Sequence, residues 1–240
     1  MEYIDYLYDI CLTNETLFAP IFNLLARVED ILPIYVDEEN FCIEDLKYGG
    51  LYIYTHQTPV RLKILDELKP YDKMYIFDEP TFKEIDSRWK SSSIKYLTPV
   101  TCNQTLNYDN ILLDIRQADF NDFDRVFKVV KDFADDMEIR DAIFYNKLWI
   151  GDVSYDYNAI NFILLNPDDS IRLIYVDENY RNLGFGKELV RFIVDELYNS
   201  DIPITYIPIN RKHEDIINYF TKLGFQKSET PIFITYYGGN

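Results

Sequence analysis

The sequence predicts a mixed α/β (α+β) protein built of two α/β units, and three observations predict it. Short β-rich apolar runs alternate along the whole chain with segments of helical apolar spacing. Between Thr98 and Asn110 a stretch rich in Thr, Asn and Pro breaks that alternation, placing a boundary between a smaller N-terminal domain, 1–110, and a second domain, 111–240. At 240 residues, with 48% hydrophobic and 27% charged residues, the chain can fill two packed cores.

The first thirty residues read as helical. Tyr3, Tyr6, Leu7 and Ile10 fall at helical spacing, and Leu17, Ile21, Leu24 and Leu25 resume it after Thr13-Asn14-Glu15. Apolar runs then follow at Leu32 to Val36, Leu51 to Tyr54, Met74 to Phe77 and Ile94 to Leu97, with polar stretches of helical character between them. Gly49-Gly50 marks a turn before a strand, and Asp78-Glu79-Pro80 reads as an end with capping carboxylates. No ligand or catalytic motif stands out in this half.

The second half opens on the strand-like Ile111 to Arg116. A helix follows, capped by Asp119 or Asn121, with Phe123, Val126, Phe127, Val130 and Phe133 on its apolar face, closing at Asp135-Asp136. Trp149-Ile150, Val153 to Tyr155 and Ala159 to Leu165 read as strands of a meander, and Asn166 to Asp169 as a turn. Ile171 to Val176 is a further strand, and Lys187 to Tyr198 a helix with Leu189, Val190, Phe192, Ile193, Val194 and Leu197 inside.

Between that strand and helix lie Arg181, Asn182, Leu183, Gly184, Phe185 and Gly186. Strand, glycine loop and helix is the order in which unpaired backbone N–H groups and the positive end of a helix dipole converge on an anion. The chain has eight glycines, with none between Gly50 and Gly151, so two glycines one residue apart are informative. The loop lacks the Gly-Lys-Ser/Thr ending of a triphosphate loop and the three glycines of a dinucleotide fingerprint. Lys187 and Arg191, one turn apart, are placed to meet phosphates as well.

Composition excludes other classes. A net charge of -17, with 19 acidic and 10 basic residues in 1–110, disfavours a grip on nucleic acid and suits either a soluble surface or attraction of cationic amines. Cys11, Cys42 and Cys102, with His56 and His213, form no metal-ligand spacing, so no metal is expected. No apolar run reaches bilayer-spanning length and no signal peptide is evident, which sets the expectation of a soluble protein of the cytoplasm without membrane partners.

The stretch "IRLIYVDENYRNLGFGKELVRFIVDEL" resembles motif A of the GCN5-related N-acetyltransferases, with its Gln/Arg-x-x-Gly-x-Gly/Ala signature. "DIRQADFNDFDRVFKVVKDF" is similar to the family's opening strand and helix, and "HEDIINYFTKLGF" to its motif B. The resemblance covers about 130 residues, implying a mixed central sheet flanked by helices and acetyl-CoA as cosubstrate. It implies that Arg181, Asn182, Leu183, Gly184, Phe185, Gly186 and Lys187 cradle the pyrophosphate, and that Ile174, Tyr175 and Val176 run beside the pantetheine arm.

Alignment on Gly224-Phe225 sets Phe220 where the family keeps a tyrosine acid, and His213 where it keeps an asparagine. Both positions would lie against the cofactor. Tyr206, Tyr236 or Tyr237 remain as replacements for the acid, whereas Tyr219 lies about 100° round the helix from Phe220. His213 is a candidate proton acceptor, and Asp152 and Asp156 are candidates for a general base acting through water. The acceptor implied is a primary amine on a small molecule, a polyamine or a peptide. Two further readings stay open: a non-catalytic acyl-CoA-binding module, and a tandem protein whose residues 1–110 are a degenerate copy of the same fold.

Overall fold

The computed structural model describes residues 2–106, 112–156, 158–200, 202 and 204–237. In chain order the elements are α1 (Glu2–Thr13), α2 (Ala19–Leu25), β1 (Ile31–Val36), β2 (Asn40–Asp45), β3 (Leu51–Thr55), α3 (Thr58–Glu67), β4 (Lys73–Ile76), α4 (Glu79–Arg88) and β5 (Ser93–Cys102). There follow β6 (Asp114–Gln117), α5 (Phe123–Val130), α6 (Asp136–Phe144), β7 (Leu148–Asp152), β8 (Asn161–Leu165), β9 (Ile171–Val176), α7 (Phe185–Asn199), β10 (Thr205–Asn210), α8 (Glu214–Lys222), β11 (Gln226–Lys227) and β12 (Ile232–Tyr236). None of the described helices is long and apolar enough to cross a membrane.

The chain forms two compact units that divide it differently from the boundary at 110 and 111, which lies outside the described residues. One unit is Met1–Thr101 with Pro208–Asn240; the other is Cys102–Ile207. The cause is β12, which leaves the C-terminal segment to pair antiparallel with β4 (Phe233 to Ile76) and with β5 (Phe233 to Tyr96). The unit that contains the N-terminal residues is therefore the larger one.

In that first unit the sheet runs β1-β2-β3-β4-β12-β5-β10, with β11 also on β5. β3 and β4 are parallel, joined across α3, while β1 to β3 are antiparallel. On one face α3 and α4 bring Ile64, Leu65, Phe82 and Ile85 onto Leu51, Ile53, Met74, Ile76 and Phe233. Elsewhere Phe18 packs its ring against Phe41, Tyr54 and Phe77 at 5.0 to 5.8 Å between centroids. Gly49 and Gly50 turn into β3 with φ of 69° and 115°. Asp78 caps α4, accepting from the Thr81 N–H at 2.7 Å.

β2 was not foreseen. Its Asn40–Asp45 strand is mostly buried, and the Asp45 charge is met by Arg27 at 3.1 Å.

The second unit is a four-stranded antiparallel sheet, β6-β7-β8-β9. One side is covered by α5 and α6, whose Val126, Val130, Ile139, Ala142 and Ile143 join Leu148, Ile150, Phe162 and Leu164 in the core. α7 packs on β8 and β9, and its Leu189 meets Gly151 of β7.

Three local expectations change here. The helix after β6 starts from Asp122 rather than Asp119 or Asn121, because the Asp122 carboxylate binds Arg116 and the Asp119 N–H. Asp135 opens α6, accepting from Glu138 N–H at 2.8 Å, instead of closing α5, and Phe133 is 55% exposed. Val153 to Tyr155 form a turn closed by a Val153–Asp156 bridge, not a strand.

Candidate anion cradle after β9

β9 ends the sheet order of its unit, so among the described residues one edge of its backbone has no strand partner in that sheet. Tyr175 stacks on Phe162 across the β8–β9 pair, 5.4 Å between centroids, which commits its ring to the α5–α6 side. Ile174 and Val176 alternate to the other face and are half-buried.

After Val176 the chain makes a short helical turn at Glu178–Tyr180, capped by the Asp177 carboxylate on the Asn179 N–H. The loop then passes through two left-handed residues, Asn182 (φ 67°) and Gly184 (φ 97°). Asparagine tolerates this conformation and glycine adopts it without penalty. Between them Leu183 is 57% exposed.

α7 starts at Phe185, and the first intrahelical acceptor, the Gly184 carbonyl, is taken by Glu188 N–H at 3.0 Å. The N–H groups of Phe185, Gly186 and Lys187 thus precede the helical ladder and are available to a ligand. Arg181 is exposed, bonded to the Val176 carbonyl at 3.3 Å and facing Glu178 at 3.5 Å. Further along α7 the Arg191 Nε is buried and lacks a hydrogen-bond partner among the described residues, an orphaned cationic donor four residues after Lys187. Unladdered amides, a positive dipole end and an unpartnered guanidinium Nε are donors of the kind a diphosphate takes.

The turn before the cradle is held on two sides. Asn161, fully buried at the start of β8, accepts from Asp177 N–H and donates to the Gly151 carbonyl, both at 3.2 Å. The Tyr180 hydroxyl donates to Asp156 at 2.8 Å. That bond holds the Asp156 carboxyl below the ordinary aspartate range and pushes the Tyr180 phenol up to about 12.

The structure brings Asp152, Asp156 and residues 174–187 into the second unit. Asp152 is engaged by Arg116 at 2.7 Å and Arg125 at 3.4 Å, so both oxygens already serve guanidiniums. Tyr206 is buried and its hydroxyl is bonded to Asp168. His213, Phe220, Tyr236 and Tyr237 fall in the first unit. His213 is the exposed residue before α8, without a side-chain cap. Phe220 is buried against Phe225 at 5.3 Å, and Tyr219 lies edge-on to it. Tyr236 ends β12, its carbonyl accepting from Ser92.

Sequence reasoning missed Asn161 and Tyr180. The signal available was one asparagine opening an otherwise apolar strand, "NFILL".

Residues 112–225 match the family model of the acetyltransferase (GNAT) family. No curated protein matches the chain. Among solved structures, a Drosophila protein aligns with a TM-score of 0.63 at 11% identity, covering 98% of this chain and 95% of that one. A GCN5-related N-acetyltransferase from Kribbella flavida gives 0.54 at 8% identity over 93% and 96%, and a GNAT-family acetyltransferase from Colwellia psychrerythraea 0.52 at 11% over 97% of both chains. At such identities the likeness is one of fold, and it extends over the N-terminal half as well.

Proposed function

We propose that this chain, whose residues 112–225 match the GNAT acetyltransferase family, is an N-acyltransferase that moves an acetyl or related acyl group from acyl-CoA to a primary amine. The observation that carries the reading is the cradle: left-handed Asn182 and Gly184 leading into the unladdered amides of Phe185, Gly186 and Lys187. When bound, acyl-CoA supplies a thioester carbonyl open to attack by the amine. The loop amides, Lys187 and Arg191 hold its phosphates, and the free edge of β9 runs beside its pantetheine arm.

Phe220 offers no proton, and Asp152 and Asp156 are engaged by Arg116, Arg125 and Tyr180. Rate enhancement on this reading comes from positioning. A thiol's ordinary pKa of about 8.5 lets the thiolate leave without a strong acid. The acceptor is an amine on a small molecule or peptide.

Calorimetry with CoA is the first test. Gly184→Asp adds a Cβ at φ 97° and a negative charge, so binding should disappear, and unchanged affinity would refute the cradle. Transfer from acetyl-CoA to a panel of amines then separates an enzyme from a binding module.

A second reading is favoured by a specific observation. Two helices, three antiparallel strands, a helix, a strand, a helix and a strand recur in the same order from α1 to β5 and from α5 to β11. On this reading residues 1–110 are a degenerate copy of the same fold. Asn40, opening β2 and paired with Thr55, accepts from His56 N–H at 2.8 Å. Asn161, opening β8 and paired with Val176, accepts in the same way from Asp177. In the N-terminal copy Asn40 also takes the Gln57 N–H, and Pro59 removes another donor from the start of α3. The connection has no glycine and is closed to a phosphate, so CoA should bind the full chain with a stoichiometry of about one, since only one helix start keeps the free amides an anion needs.

A further inference from the structure

We infer that Asp156 and Tyr180 form a strut that sets the shape of the phosphate cradle, as positioning residues for acyl-CoA binding; this rests on the reading of residues 181–187 as the cofactor's phosphate site. Tyr180 is gripped at both ends. Its hydroxyl is bonded to Asp156 at 2.8 Å, and its ring stacks on Phe185 with centroids 5.4 Å apart and planes 12° from parallel. Phe185 is the buried first residue of α7, so one side chain spans from the β7–β8 connection to the helix start, across the cradle loop.

Asp156 is itself fixed. Its other carboxylate oxygen accepts from Asn158 N–H at 3.0 Å, its N–H donates to the Val153 carbonyl at 3.0 Å, and its carbonyl accepts from Ala159 at 3.2 Å. The four residues between Tyr180 and Phe185 are exposed, and two of them have positive φ. Such a segment samples many shapes unless its ends are held, and each shape it must abandon on binding costs affinity. Asn161 holds Asp177 from inside the sheet, and the Asp156–Tyr180 strut holds the outside.

The test measures CoA affinity of the full chain by calorimetry, with thermal midpoints alongside. Tyr180→Phe and Asp156→Ala should each bind CoA about tenfold more weakly, the loss of one charge-assisted hydrogen bond. The double variant should be no weaker than Asp156→Ala, because the Tyr180 tether is already gone in that single variant. Asp156→Asn, which keeps a neutral hydrogen bond to the phenol, should lose less than Asp156→Ala. Both side chains are partly solvent-exposed, so midpoints should move little.

Wild-type affinity in Tyr180→Phe and Asp156→Ala overturns the strut. Multiplicative losses in the double variant overturn it too, as does an Asp156→Asn variant as weak as Asp156→Ala. Failure of the folded wild-type chain to bind CoA at all overturns the cradle reading, and the strut with it, and that outcome shows in the wild-type arm alone.

Discussion

Gly151 shows how little room separates the layers of the second unit. A Cβ built there meets Leu113 Cδ1 at 2.8 Å and Leu189 Cδ2 at 3.2 Å, and both leucines are buried, so one must shift to admit it. Gly151→Ala should therefore destabilise the protein by about 1–3 kcal/mol, the usual cost of overpacking, read as a lower urea midpoint. The sequence marked this glycine only as rare; its reason is tertiary. The cradle was more legible, because Gly184 and the strand and helix around it announce themselves within twenty residues. Arg191 was legible only as a neighbour of Lys187 one turn on; that its Nε is buried without a hydrogen-bond partner among the described residues emerges only from packing. The same limit hid Tyr180, whose two partners lie 24 residues upstream and five downstream.

The elements of the second unit are latched by charge at one corner. Asp122, buried at the start of α5, takes both terminal nitrogens of Arg116 at 2.7 and 2.9 Å, while Arg116 Nε reaches Asp152 of β7. Burial alone would raise the Asp122 carboxyl, but the Arg116 hydrogen bonds bring it below the ordinary aspartate value of 3.8. With the folded value depressed, this contribution is fully present above that pH and is lost as pH falls through the lowered one. Asp122→Asn should flatten that acid limb of the stability curve and cost about 1–3 kcal/mol at neutral pH, measurable by urea unfolding at pH 3 to 7. Charge also explains which elements escaped the sequence. "NFCIED" reads as polar until Arg27 is seen to neutralise Asp45, and Asp135-Asp136 reads as a helix end although acidic residues favour a helix start.

At the scale of the molecule, the larger sheet crosses the expected boundary between the halves, while the four-stranded sheet β6 to β9 falls wholly on its C-terminal side. Pattern placed the strands of β1, β3, β4 and β5 well, because each is a compact apolar run. It gave no means of knowing that "IFITY", 130 residues beyond β5, lies between β4 and β5. Pairing partners at that separation leave no periodic trace. A chain ending at Pro231 loses two antiparallel ladders and the Phe233 ring that stacks on Phe82 at 4.4 Å. Its first unit should no longer unfold cooperatively, visible as a broadened thermal transition and dye binding to exposed apolar surface.

The same strand has a consequence for how the protein is made. Synthesis runs from the N-terminal side onward, and domains commonly fold as they emerge from the ribosome. Here β4 and β5 appear early yet must wait, with their hydrogen-bonding edges open, for residues Ile232–Tyr236 at the far end. Every intervening residue must be translated before the first sheet can close. A pause or a stop codon ahead of Ile232 would leave a nascent chain with two unpaired edges on β4 and β5.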